Sequence, residues 1–328
     1  LFQTEPILFL QSLASDGLTT IMWLLSRAAS PDVLGALVLV VAFGLSLRAG
    51  LALAEAVFWT ELLTGLVKQS LELPRPADVD SRVRLLADSG TSIATFTAAG
   101  GQQMFDLPDP RAMAAVRLAP APSYGFPSSA VSTATAFWGG AGMLFRSGGL
   151  MTFAAALVTL TALARLYLGR HFIADVLGGA GVGLVVLGVL RRSVLRPQWA
   201  FRSPVWPPVL TLIPLVLLLL VPHVDPASAG GLSGLYAARL LLQRRELPSD
   251  RAGTWRRIAR VLVALAAYAA VAATIGLTLR TVALEAEPVW AEYLATGIAA
   301  FAVFWGGVRI SERLGLYRPL RPTRTHGA

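Results

Sequence analysis

The chain has 328 residues, 55% hydrophobic and 14% charged, where a soluble domain carries about 25% charged residues. Mean hydropathy is +0.63, which places the chain among polytopic membrane proteins and away from soluble enzymes. The net charge of +9 has a simpler source in basic cytoplasmic loops than in nucleic acid, because no basic stripe sits on a soluble module. There is no cysteine, so disulfide and thiolate chemistry are excluded.

A bilayer-crossing helix needs about 20 mostly apolar residues. In chain order the apolar segments are about 10–28, 32–47, 50–71, 129–146, 149–168, 172–191, 206–222, 227–243, 258–280 and 289–310. No basic n-region precedes the first of them, so no cleavable leader is read there. Arginines concentrate in the connections 191–202 and 244–257 and after residue 308. With ten spans these fall on one side, expected to be cytoplasmic, and the connections 72–128, 169–171, 223–226 and 281–288 fall opposite. The stretch 72–128 is long, polar and rich in Gly, Pro, Ser and Asp; it reads either as a lid or access segment or as a mobile insertion.

Three short stretches fall at span ends on the expected outer side. The first is KQSLELPRP, with Lys68, the only lysine among 28 basic residues, six residues before Arg75-Pro76. The second is YGFPSSAVS, opening the fourth span. The third is ARLYLGRHFIADVLGG, with Arg165, His171 and Asp175. Taken singly each has a bland explanation: a snorkelling cation, a surface His–Asp pair, a helix start. Together they describe an anion site. Cations at membrane depth need an anion or a cavity, and Lys68, Arg75 and Arg165 would suit phosphoryl oxygens. Ser128, Ser129 and the first free peptide N–H groups of the helix after Pro127 form an anion-binding mouth. His171 and Asp175, four residues apart at a helix start, share a face. The carboxylate would fix the imidazole tautomer and leave the other nitrogen as a nucleophile. That set describes phosphoryl transfer through a phosphohistidine. There are three histidines, His171, His223 and His326, and no metal-ligand set or cofactor motif is apparent.

These motifs resemble those of the type 2 phosphatidic acid phosphatase superfamily, in its integral-membrane lipid phosphatase branch. The family pattern is Lys-x6-Arg-Pro, then Pro-Ser-Gly-His or Pro-Ser-Ser-His, then Ser-Arg-x5-His-x3-Asp. Here the three parts are Lys68 to Pro76, Pro127 to Ala130, and Ala164 to Asp175. The resemblance covers about residues 30–192. It implies an all-α polytopic membrane bundle with a six-helix phosphatase core (1–192, with 72–128 as an extracytoplasmic loop). About four additional C-terminal transmembrane helices (203–328) would follow, with no motif to assign their role. It implies metal-independent hydrolysis of a lipid phosphate or pyrophosphate, with no cofactor. Lys68, Arg75, Ser128, Ser129 and Arg165 would bind phosphate, His171 would attack phosphorus and Asp175 would orient it. The expected partners are the bilayer, the lipid substrate and a second copy in a homo-oligomer. The expected location is a bacterial inner or plasma membrane, with the site facing the periplasm or exterior.

Two positions depart from the pattern. Ala164 replaces a serine, a minor change. Ala130 replaces the histidine that in the family protonates the leaving alkoxide and then activates water. Three explanations compete: an engineered His-to-Ala change, favoured because a histidine there restores a natural-looking motif; a natural pseudoenzyme; or a proton supplied elsewhere, by Asp78, Asp80, Asp88, Asp106 or Asp109. On the first, activity is abolished or much reduced. Two other functional classes remain open: a phosphotransferase passing the group to a lipid or glycan, and a non-catalytic lipid-phosphate binder or carrier. In the C-terminal region Arg239 reads as a snorkelling cation, and the glycines of GGLSG at 230, 231 and 234 permit close helix packing.

Overall fold

The structure, a computed structural model, describes residues 1–87, 94–120, 122–191, 206–244, 247–281 and 289–317; for 206–208 and 278–281 it describes backbone only. Asp88 and His326 lie outside these residues. Among the described residues the chain is all-helical apart from turns, and every apolar segment read above falls on helix. Four helical stretches are long and apolar enough to cross a membrane: Leu47–Val79, Gly148–Tyr167, Thr254–Leu277 and Val289–Arg313. A fifth is added if the bent pair Asp16–Ala28 and Pro31–Leu45 is one span. The apolar helices Ile173–Val189 and Val209–Leu220 are shorter.

The chain forms two compact units. The first comprises Leu1–Gly35, Ala56–Leu195 and Pro222–Asp225; the second comprises Ala36–Glu55, Arg196–Val221 and Pro226–Ala328. Residues 36–55, grouped with the phosphatase core from sequence, thus lie in the second unit.

In the first unit, α1 (Glu5–Ser12) and α2 (Asp16–Ala28) precede the start of α3 (Pro31–Leu39). The later part of α4 (Leu47–Leu71), short α5 (Pro76–Val79) and α6 (Pro110–Arg117), α7 (Ser129–Phe145), α8 (Gly148–Tyr167) and α9 (Ile173–Val189) complete it. Helix starts follow local chemistry. Ser15 accepts the Leu18 N–H and Ser147 that of Leu150, each satisfying a donor that a helix start leaves free. Helix α7 packs on α8 and α9. A Cβ at Gly179 would lie 2.5 Å from the Ser128 carbonyl oxygen, and one at Gly183 would lie 2.6 Å from that of Ser132. Only glycine permits so close a crossing.

The stretch 72–128, in its described parts, is folded. Phe2, Ile7, Val79, Val83, Ala112 and Phe172 belong to one buried cluster. Buried Asp80 pairs with Arg82 at 2.8 Å and accepts the Thr4 hydroxyl at 2.7 Å. Gln11 of α1 bonds Arg84 through both ends of its amide, at 2.7 and 3.0 Å. These parts share a buried cluster with Phe2 and Ile7 at the start of the chain and with Phe172, beside His171.

In the second unit the π-helical turn Val40–Leu45 leads into the start of α4. Helices α10 (Trp206–Leu220), α11 (Pro226–Gln243), α12 (Thr254–Thr281) and α13 (Val289–Phe301) follow. The π-helical turn Ala302–Gly306 then leads to α14 (Gly307–Arg313). Helix α11 packs on α10 and α13. A Cβ at Gly230 or Gly234 would lie 2.0 Å from the carbonyl oxygen of Tyr293 or Gly297. Arg239 does not snorkel. It is 5% exposed and reaches Glu55 at 3.2 Å, while Tyr236 donates to the same carboxylate at 2.8 Å. Removing either partner would leave the other's charge buried and uncompensated.

Candidate active site

All three motifs meet at one end of the first unit. Lys68 is in the last turn of α4, Arg75 caps α5, Ser128 caps α7, Arg165 is in the last turn of α8, and Asp175 is in the first turn of α9.

His171 and Asp175 are 1% and 0% exposed. The His171 Nδ1 lies 3.2 Å from Asp175 Oδ2, and Nε2 lies 3.0 Å from an Arg165 Nη. Arginine can only donate, so Nε2 is the acceptor and carries the lone pair. Nδ1 then carries the proton and donates it to Asp175. The Asp175 carboxylate is fixed in turn by the Phe172 N–H at 2.9 Å. His171 lies outside the spanning helices. Burial first, then the cationic Arg165, Arg75 and Lys68, hold its pKa well below the ordinary 6.5. Both causes disfavour a charged imidazolium.

The motif at 124–128 is locked to its neighbours. The Lys68 ammonium donates to the carbonyls of Tyr124, Gly125 and Pro127 at 3.0, 3.2 and 2.9 Å. An ammonium has three donors, so in this state Lys68 holds the loop and offers its charge, not a free N–H, to an anion. The Ser128 N–H bonds the Asp175 carbonyl at 2.9 Å, and the Gly125 N–H bonds that of Leu73 at 2.7 Å. A Cβ at Gly125 would come within 2.8 Å of the Pro74 carbonyl oxygen and 2.9 Å of Asp175 Oδ2. The Ser128 hydroxyl is buried and has no hydrogen-bond partner. Arg75 donates to Ser123 Oγ at 3.1 Å, and Arg165 anchors its other Nη on Ser26 Oγ at 3.0 Å.

Beside this constellation is a cavity of about 320 Å³. Ser129, Ala130, Thr133, Glu61, Arg165 and Arg170 line it. Ala130 thus faces open space next to Arg165. Of the aspartates considered from sequence, the four described do not line this cavity, and each accepts a hydrogen bond. Asp78 accepts the Arg75 N–H, Asp80 holds Arg82, and Asp106 and Asp109 accept the N–H groups of Gln103 and Arg111. Glu61 was not singled out from sequence. Its signal was available: a carboxylate inside an apolar span, seven residues before Lys68 and so on its helix face. Among the described residues no cluster of three or more His, Cys, Asp or Glu could hold a metal ion.

No curated protein and no solved structure matches the chain. Residues 49–199, a stretch that contains all three motifs, match the family model described as PAP2 superfamily.

Proposed function

We propose that the chain is an integral-membrane phosphatase that hydrolyses a lipid phosphate or pyrophosphate through a phosphohistidine on His171. The observation that carries this reading is the placing of the His171 ring, with Nε2 beside the Arg165 guanidinium and Nδ1 beside the buried Asp175 carboxylate, from which a lone pair on Nε2 follows. Nucleophilic catalysis requires such an oriented, unprotonated nitrogen. The phosphoryl group enters among Arg75, Arg165, the Ser128 hydroxyl and the first N–H groups of α7. Arg165 turns its N–H groups to the phosphoryl oxygens and frees Nε2 to attack. The guanidinium groups and the Lys68 charge stabilise the equatorial oxygens as the P–O bond breaks. Lys68 also keeps the 124–127 loop shut against α4. The site faces the periplasm or exterior, with the lipid tails among the helices.

Ala130, in this reading, deprives the leaving oxygen of the proton that a histidine would give. Restoring it (Ala130→His) is expected to raise phosphate release from a panel of lipid phosphates in detergent by about 10²–10⁴-fold. His171→Ala in that background is expected to abolish release. Activity retained without His171 would contradict the assignment, and transfer to lipid with no free phosphate would mark a transferase.

A further inference from the structure

The phosphatase reading leaves a chemical gap at residue 130, and the cavity beside it contains one titratable acid. We propose that the Glu61 carboxyl is the proton donor and acceptor for the leaving and attacking oxygens of this site, and sustains the turnover that remains with alanine at 130. The inference rests on the proposed function above.

Glu61 lines the same cavity as Ala130, Ser129 and Arg165. Its Oε1 is buried and has no hydrogen-bond partner, which is costly for a carboxyl oxygen unless an occupant completes it. It lies two helical turns before Lys68 on α4, on the face that carries the site. Other protic groups there are committed or unsuited. Thr133 donates to the Ser129 carbonyl at 2.8 Å. The Ser30 hydroxyl is unpartnered, but a serine hydroxyl is not a general acid near neutral pH. Arg165 and Arg170 hold their protons throughout.

The steps balance. The His171 Nε2 pair forms a P–N bond as the P–O bond to the lipid breaks, and the leaving oxygen takes the Glu61 proton directly or through one water. Water then attacks phosphorus and gives a proton to the Glu61 carboxylate. The P–N bond breaks, its pair returns to Nε2, and phosphate departs.

The test uses the whole chain in detergent with two substrates. Phosphatidate has a poor leaving group that needs a proton; p-nitrophenyl phosphate has a good one that does not. Glu61→Gln is expected to lower phosphatidate turnover about 10²–10⁴-fold while sparing the burst of p-nitrophenol that reports His171 phosphorylation. Adding Ala130→His to Glu61→Gln is expected to restore phosphatidate turnover, which a merely structural role for Glu61 would not allow. Unchanged phosphatidate turnover in Glu61→Gln, or none in the parent above His171→Ala, overturns the Glu61 assignment and leaves that of His171 standing. A burst that survives His171→Ala overturns the phosphatase reading itself. If Glu61→Gln no longer shows a vanadate-induced rise in melting temperature, Glu61→Asp, which keeps the acid but shortens its reach, takes its place. A loss confined to phosphatidate then supports the proposal, and an equal loss on both substrates overturns it.

Discussion

Asp175 does two jobs with one oxygen: Oδ2 takes the His171 Nδ1 proton and the Phe172 N–H. Asp175→Asn keeps the shape and reverses the hydrogen-bond logic, turning the imidazole to the wrong tautomer. His171 phosphorylation is expected to slow by about 10²–10⁴-fold, with vanadate binding retained in a melting assay. The His171 pKa, held well below 6.5 by burial and three cations, sets the acid behaviour. The imidazole stays neutral as pH falls past 6.5, so the acid limb of phosphoenzyme formation is expected below the usual histidine range. The unfolded chain takes up this proton at higher pH than the folded one, so the stability His171 lends is full above 6.5 and declines as pH falls below it. Removing His171 should flatten that acid loss. The motif residues were legible because they are spaced polar groups in an apolar chain. The carbonyls that occupy Lys68 were not legible, since they depend on which elements meet, whereas the Glu61 carboxyl was legible as an acid inside an apolar span.

At the scale of elements, two crossings of small residues set the positions of helices. Helices α7 and α9 meet at Gly179 and Gly183, and α11 and α13 meet at Gly230, Gly234 and Gly297. Gly234→Ala places a methyl 2.0 Å from the Gly297 carbonyl oxygen. Such overpacking is expected to cost about 1–3 kcal/mol, read as a lower melting midpoint in detergent; an unchanged midpoint would mean that the crossing relaxes freely. Glu55→Ala leaves Arg239 with its buried carboxylate removed and is expected to cost about 3–5 kcal/mol. Arg239→Ala on top of it should recover part of the loss. Helix positions were legible from apolar runs punctuated by Pro, Gly and Ser. The packing of 72–128 was not, because its core is assembled from scattered residues such as Phe2, Val79 and Phe172 without periodicity. The Glu55–Arg239 pair was hidden for a related reason: its partners are far apart in sequence.

At the scale of the molecule, the distribution of arginines along the sequence predicts that the arginine-rich connections and the site motifs face opposite sides of the membrane. The absence of cysteine makes a direct check available. Gln102→Cys, in the long stretch, is expected to react with a membrane-impermeant thiol reagent on intact cells, and Arg251→Cys only after permeabilisation; the reverse pattern would invert the layout. The central claim is that phosphorus is transferred to His171, and its most direct test is to trap the intermediate. The chain carrying Ala130→His is mixed with radiolabelled phosphatidate and quenched in alkali, where phosphohistidine survives. Label on the chain that is lost on acid treatment and absent from His171→Ala is the predicted result. A chain that stays unlabelled, or label that persists in His171→Ala, would contradict it.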